Sequence, residues 1–448
     1  MTRRRRYALV GTGSRSAMYT TALVTTYAEG SELVGLCDVN RTRMARTVAR
    51  MGELSRDTKG HAEPACCEPG EFAAMLKEQQ VDEVIVTSID RTHHRYIIEA
   101  MEAGCDVICE KPLTVDASKC KAVLEAERRT GQKLRVTFNY RYGPRNAAFA
   151  QLLRDGAVGQ PTSVHFEWLL DTVHGADYFR RWHRDKRNSG GLMVHKASHH
   201  FDLVNWWLRS VPVEVFGFGG LRFYGRENAE QRGVAKFYER GTGTGTDDPF
   251  ALDLSADPDL KALYLDAERE DGYLRDQSVF GDGISIEDDM AVLGRYNNGA
   301  TMSYHLVAYA PWEGYRVMVN GTEGRLELDV EERSYVSGSG AAGRGEGRTS
   351  LTLRRHWERP QLIDIEGADD PGHGGGDKRL LEDIFGEAAD DPLGRAAGSL
   401  DGAWALLTGA AANRSFATGL PVVPGDLVPG IGFPLSVGEG GAGDPEAL

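Results

Sequence analysis

Short apolar strands alternate with amphipathic helices over the first 145 residues, and this order restricts the fold more than any other feature. Alternation at this spacing requires right-handed crossovers between parallel strands. We therefore predict a doubly wound parallel sheet, an α/β domain, over residues 1–145. The strand-like runs are 6–11, 32–38, 81–88, 106–112 and 133–140, and helical periodicity covers 15–28, 41–52, 70–80, 94–104 and 117–131.

After residue 150, strand-like runs follow each other without long helices between them. Asn-Gly pairs lie between some of these runs and are typical of hairpin turns. The pattern predicts an α+β domain with a large, open, mostly antiparallel sheet over 146–433, interrupted by one helix at about 190–208. The strand-like runs are 162–170, 213–223, 290–299, 300–309, 315–324 and 325–330, and two late helices are predicted at about 377–388 and 399–417.

Three segments of this second half have little periodicity. Residues 224–282 are polar and rich in Gly and Asp, and we interpret them as an insertion of loops and short helices. Residues 335–350 are of low complexity and predict a flexible loop, and residues 434–448 predict a flexible tail. Because an exposed apolar sheet face is unfavourable in a monomer, we also expect the open sheet to be covered in a homodimer or homotetramer.

The composition excludes several classes of function. The net charge is −14, opposite in sign to the basic surface that nucleic acids require. No stretch approaches the roughly 18–20 apolar residues of a membrane span, and the apolar run 7–10 is shorter than the roughly 7–15 residues of a secretory signal. The six cysteines include no Cys-x-x-Cys pair, which favours reduced thiols. We therefore predict a cytoplasmic protein that binds neither nucleic acid nor membrane.

The loop "VGTGSRSAMY" follows the first strand and begins the first helix. It has the pattern G-x-G-x-x-S, in which Gly11 permits a tight turn and Gly13 lets the backbone approach a pyrophosphate at the helix N-terminus. Ser16 replaces the usual third glycine and is small enough for helix–strand packing. The loop predicts a dinucleotide site.

Asp38 ends the second strand, about 20 residues beyond this loop, where an acidic side chain binds the ribose 2′-hydroxyl. A carboxylate there repels the 2′-phosphate of NADP, which favours NAD. Arg41 and Arg43 follow closely and leave NADP as a less favoured alternative. A purely turn-forming role for Asp38 is the structural alternative.

Several segments match, in order, the motifs of one family. Together they resemble the Gfo/Idh/MocA oxidoreductases, named after glucose–fructose oxidoreductase and inositol dehydrogenase. The resemblance spans nearly the whole chain apart from the insertion and the low-complexity loop. The segments are "VICEKPLTV" with its Glu-Lys-Pro motif, "SIDRTHH", "FNYRYGP", "SGGLMVHKASHHFDLVNWWL" and "VNGTEGRLEL".

The resemblance implies a Rossmann domain that binds NAD or NADP and a C-terminal domain that holds a sugar or cyclitol between the two. It implies cofactor contacts from the loop, the second strand and the segments after the later strands. The predicted cofactor residues are Gly11, Gly13, Ser14, Arg15, Asp38, Ser88, Asp90, His93, Glu110 and Lys111. The predicted substrate residues are Lys111, Arg141, Tyr142, Trp182, His195, Lys196, His199 and Asp202.

Lys111 and His199 match the catalytic lysine and histidine of the family. A histidine with a near-neutral pKa can take the hydroxyl proton as the hydride leaves, and a lysine beside the same oxygen stabilises the alkoxide and shares the proton. Many members have Asp four residues before the histidine, where this chain has His195 followed by Lys196. We therefore predict His195 as a second proton-handling group, and Asp202 as a side chain that orients His199.

Two other interpretations of the histidine cluster remain open. His195 and His199 have the i, i+4 spacing of two zinc ligands, but Lys196 stands where H-E-x-x-H sites have Glu, and we predict no metal. The second interpretation is a structural network of histidines, in which His200 is expected to pack against Trp206 or a neighbour.

The segment that leads to the cluster is basic and aromatic, which suits a solvated loop, a subunit interface or a rim for an anionic or glycosidic substrate. Its residues are Tyr178, Phe179, Arg180, Arg181, Trp182, Arg184, Lys186 and Arg187.

These features lead to a first hypothesis and two alternatives. The first is an NAD-dependent dehydrogenase that oxidises a secondary hydroxyl of a sugar, cyclitol or glycoside. The second is a redox-neutral epimerase or glycosidase that retains NAD and works through a transient keto-sugar, for which His195 would supply the second base. The third is a non-catalytic NAD-binding sensor, against which the complete Lys111/His199 pair argues.

Overall fold

The computed structural model describes residues 3–55, 62–336, 347–368, 372–387, 389–434 and 437. The strands are β1 (Arg5–Val10), β2 (Ser31–Cys37), β3 (Ala65–Cys67), β4 (Glu83–Val86), β5 (Asp106–Cys109), β6 (Leu134–Val136), β7 (Pro161–Asp171), β8 (Pro212–Gly220), β9 (Asp289–Tyr296), β10 (Thr301–Ala310), β11 (Glu313–Gly321), β12 (Gly324–Arg333), β13 (Arg348–Arg355), β14 (Gln361–Ile363) and β15 (Ala397–Gly398). The helices are α1 (Ser16–Val24), α2 (Arg41–Leu54), α3 (Phe72–Glu78), α4 (His93–Glu102), α5 (Ala117–Thr130), α6 (Pro144–Arg154), α7 (His174–Arg180), α8 (Lys186–Ser189), α9 (Leu192–His195), α10 (Ala197–Leu208), α11 (Arg226–Gln231), α12 (Pro258–Leu260), α13 (Glu268–Asp271), α14 (Gly372–Phe385) and α15 (Ser399–Thr418).

The first sheet has the strand order β15-β6-β5-β4-β1-β2-β3. Strands β1 to β6 pair in parallel, and their order is that of a Rossmann fold. Buried apolar clusters lie on both faces, as expected where helices cover a parallel sheet. The predicted doubly wound sheet is confirmed. Its topology brings the loops that follow β1, β2, β4 and β5 to one edge, where ligands bind in such folds.

The first domain also includes elements from the C-terminal part of the chain. Strand β15 pairs antiparallel with β6, and α14 places Asp383 beside Arg135 and Tyr142. The late helix α15 packs on both domains, since its residues belong to both buried clusters. Strand β15 was not predicted from the sequence, because a two-residue strand leaves no periodic signal.

The second sheet has the order β14-β13-β12-β11-β7-β10-β9-β8. Only β7 and β10 among these pair in parallel, so the predicted open, mostly antiparallel sheet is confirmed. The inner face packs its alternate apolar residues against α10. The outer face carries polar contacts such as His165 with Ser303 and Arg316 with Asp329, although Phe218 and Leu293 are exposed on it. This face is therefore not uniformly apolar, and the homodimer or homotetramer stays a prediction.

The single helix predicted at about 190–208 is wrong. Gly190 (φ 71°) ends α8, and Gly191 (φ 76°) precedes the short helix α9, which is separated from α10 at Lys196. A Cβ on Gly190 would lie 2.7 Å from Cβ of Val194, so glycine is required by the turn. The two glycines do not line the cavity described below.

Loops and short helices make up residues 224–282, including α11 to α13 and a π-helical turn at Lys261–Leu265. The predicted flexible loop falls mainly on residues 337–346, outside the described residues, and its last residues begin strand β13. The predicted tail also lies mostly outside them, but Val437 packs with Val211 and Trp404. Among the described helices, none is long and apolar enough to cross a membrane.

Candidate active site

A cavity of about 690 Å³ lies between the edge of the Rossmann sheet and the second domain. Residues from the loops after β1, β2, β4 and β5 line one side, and residues from α7 to α10 and from the insertion line the other. This position is where open α/β sheets bind their ligands.

The dinucleotide loop has the backbone conformation that the sequence pattern predicts. Gly11 has φ of 88°, and a Cβ there would lie 2.6 Å from Cα of Ser88, so glycine is required. A Cβ on Gly13 would meet only the Tyr264 hydroxyl, at 3.8 Å, among the described residues, which leaves the backbone accessible from the cavity. Ser16 is buried and donates from Oγ to the Gly13 carbonyl at 2.7 Å. The loop and the start of α1 thus form a cradle for an anion.

Asp38 lies at the end of β2 and lines the cavity. Its Oδ2 accepts hydrogen bonds from the Thr12 backbone N–H at 2.6 Å and the Thr12 hydroxyl at 2.8 Å, and its Oδ1 accepts from the Asn40 N–H at 2.9 Å. These contacts orient the carboxylate at the carboxyl edge of the sheet. A structural role in the turn and a contact to a ribose are both compatible with this geometry.

Arg15 and Glu110 form an ion pair over the start of the loop. Arg15 Nε donates to Glu110 Oε1 at 2.6 Å, and the Tyr19 hydroxyl donates to the same oxygen at 2.8 Å. Both predicted cofactor residues line the cavity, but one carboxylate oxygen of Glu110 already accepts two hydrogen bonds.

Ser88 and His93 also line the cavity. The two imidazole nitrogens of His93 contact the carbonyl oxygens of Pro112 and Ser88. His93 therefore connects two loops of the site.

Lys111 and His195 bring the two domains together. Lys111 Nζ donates to the His195 carbonyl at 3.2 Å, and His195 Nδ1 lies 2.5 Å from Asp90 Oδ2. Asp90 follows β4, so the sequence segment "SIDRTHH" supplies a carboxylate partner for the histidine that replaces the usual aspartate. The structure thus contains a His–Asp pair between domains that the sequence analysis did not predict.

Burial governs the protonation of these groups. It lowers the pKa of Lys111 to about 8, although the carboxylates of Asp90 and Glu110 oppose this change. It lowers the pKa of His195 well below its usual value, with a further contribution from the Lys111 cation, and raises the pKa of Asp90. Burial thus disfavours the charged forms of both Asp90 and His195, while Lys111 exchanges its proton near pH 8.

His199 lies on α10 and lines the same cavity. Its ring stacks on Tyr140 with centroids 4.3 Å apart, and the Tyr140 hydroxyl accepts from Lys196 Nζ at 3.1 Å. Lys196 is buried and lies 4.8 Å from the centroid of Trp168. The structure thus brings together four residues that the sequence predicts for the site, namely Lys111, His195, Lys196 and His199. Tyr140 forms an aromatic wall of the same cavity and was not predicted as a site residue.

Three of the predicted substrate residues lie elsewhere. Arg141 donates to both oxygens of Asp202, at 2.8 and 2.6 Å, and the two side chains are each 1% exposed. The Tyr142 hydroxyl donates to Asp383 at 2.6 Å. Arg141, Tyr142 and Asp202 are not among the described residues that line the cavity. The structure therefore does not bring these three side chains to the cavity, and their contact with substrate stays a prediction that the buried Arg141–Asp202 pair disfavours. Asp202 is held by Arg141 rather than placed to orient His199.

The basic and aromatic approach to α9 divides into buried and lining residues. Tyr178, Arg181 and Trp182 line the cavity, whereas Phe179 is buried against Tyr224. Arg180 and Arg184 donate to backbone carbonyls of the insertion, Lys186 pairs with Glu287, and Arg187 pairs with Asp185. Most of these positively charged side chains therefore bind other groups of the protein. Of the five cations, only Arg181 lines the cavity.

Some lining residues had no signal in the sequence analysis. His183, Tyr273 and Asn139 each have a buried polar atom without a hydrogen-bond partner among the described residues, namely Nδ1, the hydroxyl and Oδ1. All three residues line the cavity, and a buried polar atom of this kind usually has a partner, which a bound ligand would supply. Tyr264 and Asp271 reach the cavity from the insertion. The polar lining and the glycine cradle fit a dinucleotide and a polar small molecule.

The histidine cluster is divided between two environments. His195 and His199 lie on different helices, and His195 is directed to Asp90 through Nδ1. His200 is buried, stacks on Trp168 at 4.0 Å between centroids rather than on Trp206, and contacts the Tyr304 hydroxyl at 2.6 Å. Across the described ranges, no group of three or more His, Cys, Asp or Glu side chains is arranged as a metal site.

Comparison with known proteins identifies the class. A family model described as "Oxidoreductase family, NAD-binding Rossmann fold" matches residues 5–138, and one described as "Oxidoreductase family, C-terminal alpha/beta domain" matches residues 150–422. The chain belongs to the Gfo/Idh/MocA oxidoreductase family, and the resemblance seen in the sequence is confirmed.

Individual relatives support the same assignment. The chain is 34% identical over 432 residues to the "Putative oxidoreductase YteT" of Bacillus subtilis (strain 168), covering 92% of this chain and 96% of that protein. It is 34% identical over 192 residues to inositol 2-dehydrogenase of Serratia proteamaculans (strain 568), covering 42% of this chain and 50% of that protein. The solved aldose-aldose oxidoreductase of Caulobacter crescentus shares the fold, with a TM-score of 0.60, 18% identity, and 94% and 100% of the two chains covered.

Proposed function

We propose that this oxidoreductase is an NAD-dependent dehydrogenase that oxidises a secondary hydroxyl of a sugar, cyclitol or glycoside. The observation that carries the proposal is that Lys111 from the Rossmann domain and His199 from the second domain line one cavity together with the glycine loop. A relative named inositol 2-dehydrogenase supports a polyhydroxylated substrate. The carboxylate of Asp38 supports NAD over NADP.

In this reaction the C–H and O–H bonds of the alcohol are broken and a carbonyl is formed. When bound, NAD supplies the acceptor for the hydride. The proton of the hydroxyl passes to the Lys111/His199 pair, for which the lowered pKa of Lys111 is suited. Tyr140 holds the His199 ring by stacking, and Trp182 and Tyr178 provide apolar surfaces for a sugar ring.

The test is absorbance near 340 nm with a panel of sugars, cyclitols and glycosides. We expect a substrate that produces NADH in proportion to the alcohol consumed. A panel that produces no NADH, while the protein still binds the dinucleotide, would contradict net oxidation of these alcohols.

A redox-neutral epimerase or glycosidase is the second candidate, and the buried His195–Asp90 pair favours it. Such a reaction needs a second base to remove a proton beside a transient ketone, and a histidine held by a carboxylate provides one. In this case NAD would copurify with the protein, and substrate would be converted without accumulation of NADH.

Lys111 makes the proposed oxidation dependent on pH. Its neutral amine is the form that accepts a proton, and burial lowers its pKa to about 8. We therefore expect kcat/KM for oxidation to rise as the pH increases through about 8, and the reverse reduction to fall. The comparison is with the residual activity of Lys111→Arg, whose guanidinium stays protonated. If the same rise persists in that variant, His199 is the proton acceptor and this assignment fails.

We further propose that the protein works in the cytoplasm on a small molecule, without nucleic acid or membrane as partners. The six cysteines are all unpaired, which suits a reducing compartment, and the net charge of −14 is unfavourable for binding nucleic acid.

A further inference from the structure

The insertion extends from the second domain onto the nucleotide edge of the first. We call residues 258–273 the strap. The Ala267 carbonyl accepts from Asn40 Nδ2 at 2.9 Å, and Glu270 accepts from the backbone N–H groups of Arg41 and Thr42 at the start of α2. The strap therefore supplies an acidic cap to a helix of the Rossmann domain.

The strap also reaches the dinucleotide loop. The Tyr264 hydroxyl lies 3.1 Å from the Ser14 backbone nitrogen and 2.7 Å from Ser14 Oγ. Tyr264 is 5% exposed, and the nearby Arg275 guanidinium lies 5.8 Å from its ring centroid. The strap is thus docked along the whole edge from the loop to α2.

At the end of this edge, Arg43 lies between two carboxylates. Its Nη2 is 3.6 Å from Asp38 Oδ1 and is hydrogen-bonded to Asp271 of the strap. The three side chains are between 8% and 16% exposed, and all three residues line the cavity. Two negative charges therefore surround one positive charge where the sequence pattern locates the adenosine ribose.

The net negative charge of Arg43 with its two carboxylates affects which dinucleotide can bind. An arginine beside the ribose acid is the group that accommodates the 2′-phosphate of NADP in Rossmann folds. Here Asp271 already binds that guanidinium and adds a negative charge that repels a phosphate. Without the strap, Arg43 would be available to a phosphate and only Asp38 would oppose it.

We propose that Asp271 is a cofactor-specificity residue that the second domain supplies to the Rossmann site. It binds Arg43 and, together with Asp38, makes the site accept NAD and reject the 2′-phosphate of NADP. The inference rests on the proposed use of NAD and extends it to a residue more than 200 positions away from the glycine loop.

The test measures the dissociation constants of NADH and NADPH by fluorescence titration, in the whole protein without substrate. Asp271→Asn keeps the size of the side chain and removes its charge. We expect NADPH to bind about tenfold more tightly than to the parent, because a charge near the phosphate is removed, with a much smaller change for NADH. The matched control is Asp259→Asn, which removes a strap carboxylate paired with Arg46 at 3.1 Å but 75% exposed and outside the cavity.

The double variant Asp271→Asn/Arg43→Gln identifies the route of the effect. If Asp271 acts by restraining Arg43, the gain in NADPH affinity is largely lost in the double variant. An unchanged NADPH-to-NADH ratio in Asp271→Asn, or an equal change in Asp259→Asn, overturns the inference while leaving the proposed dehydrogenase intact. A parent protein that binds neither dinucleotide overturns the proposed function itself.

Discussion

Replacement of Lys111 or His199 by alanine is expected to lower turnover by roughly 10²–10⁴-fold, the loss typical of acid–base catalysis. Lys111 has its pKa lowered to about 8 by burial, and His199 lines the same cavity from the other domain. Because both variants keep the glycine loop and Asp38, we expect NADH to bind them even though Lys111 is also a predicted cofactor contact. The measurement is kcat and kcat/KM with the substrate identified by NADH production, alongside NADH binding and thermal unfolding.

The controls are a lysine and a histidine remote from the cavity. Lys121 lies on α5 with its side chain 54% exposed, and His165 lies on the outer face of the second sheet. Their alanine variants should retain full turnover. His200→Ala is not suitable as a control, because His200 is fully buried on Trp168 and its removal would affect stability. Turnover within a few-fold of the parent in both site variants contradicts the assignment of Lys111 and His199 as the acid–base pair.

Loss of activity on chelation, with recovery on adding zinc, would favour a metal at the histidines.

The Rossmann half of the site could be predicted because its signals are local. The turn at Gly11, the acid at Asp38 and the lysine at Lys111 each follow a strand directly, and parallel strands bring such positions to one edge of the sheet. The sequence also predicted His195 and His199 in the site, although it assigned them to one helix. The break at Lys196 depends on the Gly190–Gly191 turn and its packing, which helical periodicity does not indicate.

The other differences between the predicted site and the structure come from long-range packing. Arg141 and Tyr142 occupy the positions of a family motif, but their partners are Asp202, Asp401 and Asp383, and the last two lie more than 240 residues away. Strands β13 and β14 were missed because they follow a segment whose composition indicated only a loop.

The insertion is a second example of long-range contacts that the sequence does not predict. Its polar, weakly periodic sequence predicts surface loops, yet Tyr264 contacts Ser14 and Asp271 contacts Arg43, 250 and 228 positions away along the chain. A lone tyrosine and a lone aspartate among many acids carry no sign of that role. Such residues are identified only when the tertiary structure brings them to the cavity.

Asp202→Ala is expected to lower the free energy of unfolding by about 3–5 kcal/mol, the cost of leaving one member of a buried ion pair without its partner. Arg141 donates to both oxygens of Asp202, and each side chain is 1% exposed. Asp401 also accepts from Arg141, at 2.8 Å, so part of the compensation remains and the lower end of this range is favoured. Urea unfolding followed by tryptophan fluorescence measures the change.

The matched control is Asp329→Ala on the outer face of the second sheet. Asp329 pairs with Arg316 at 3.3 Å, with side chains 39% and 45% exposed, and an exposed pair contributes about 0–1 kcal/mol. The comparison also tests whether Asp202 contacts substrate, because a purely structural Asp202 should leave KM almost unchanged in the folded fraction. If Asp202→Ala instead keeps the stability of the parent and raises KM by tenfold or more, Asp202 contacts substrate as the family motif suggested. The Arg141–Asp202 pair would then have to open when substrate binds, because both side chains are buried in the structure.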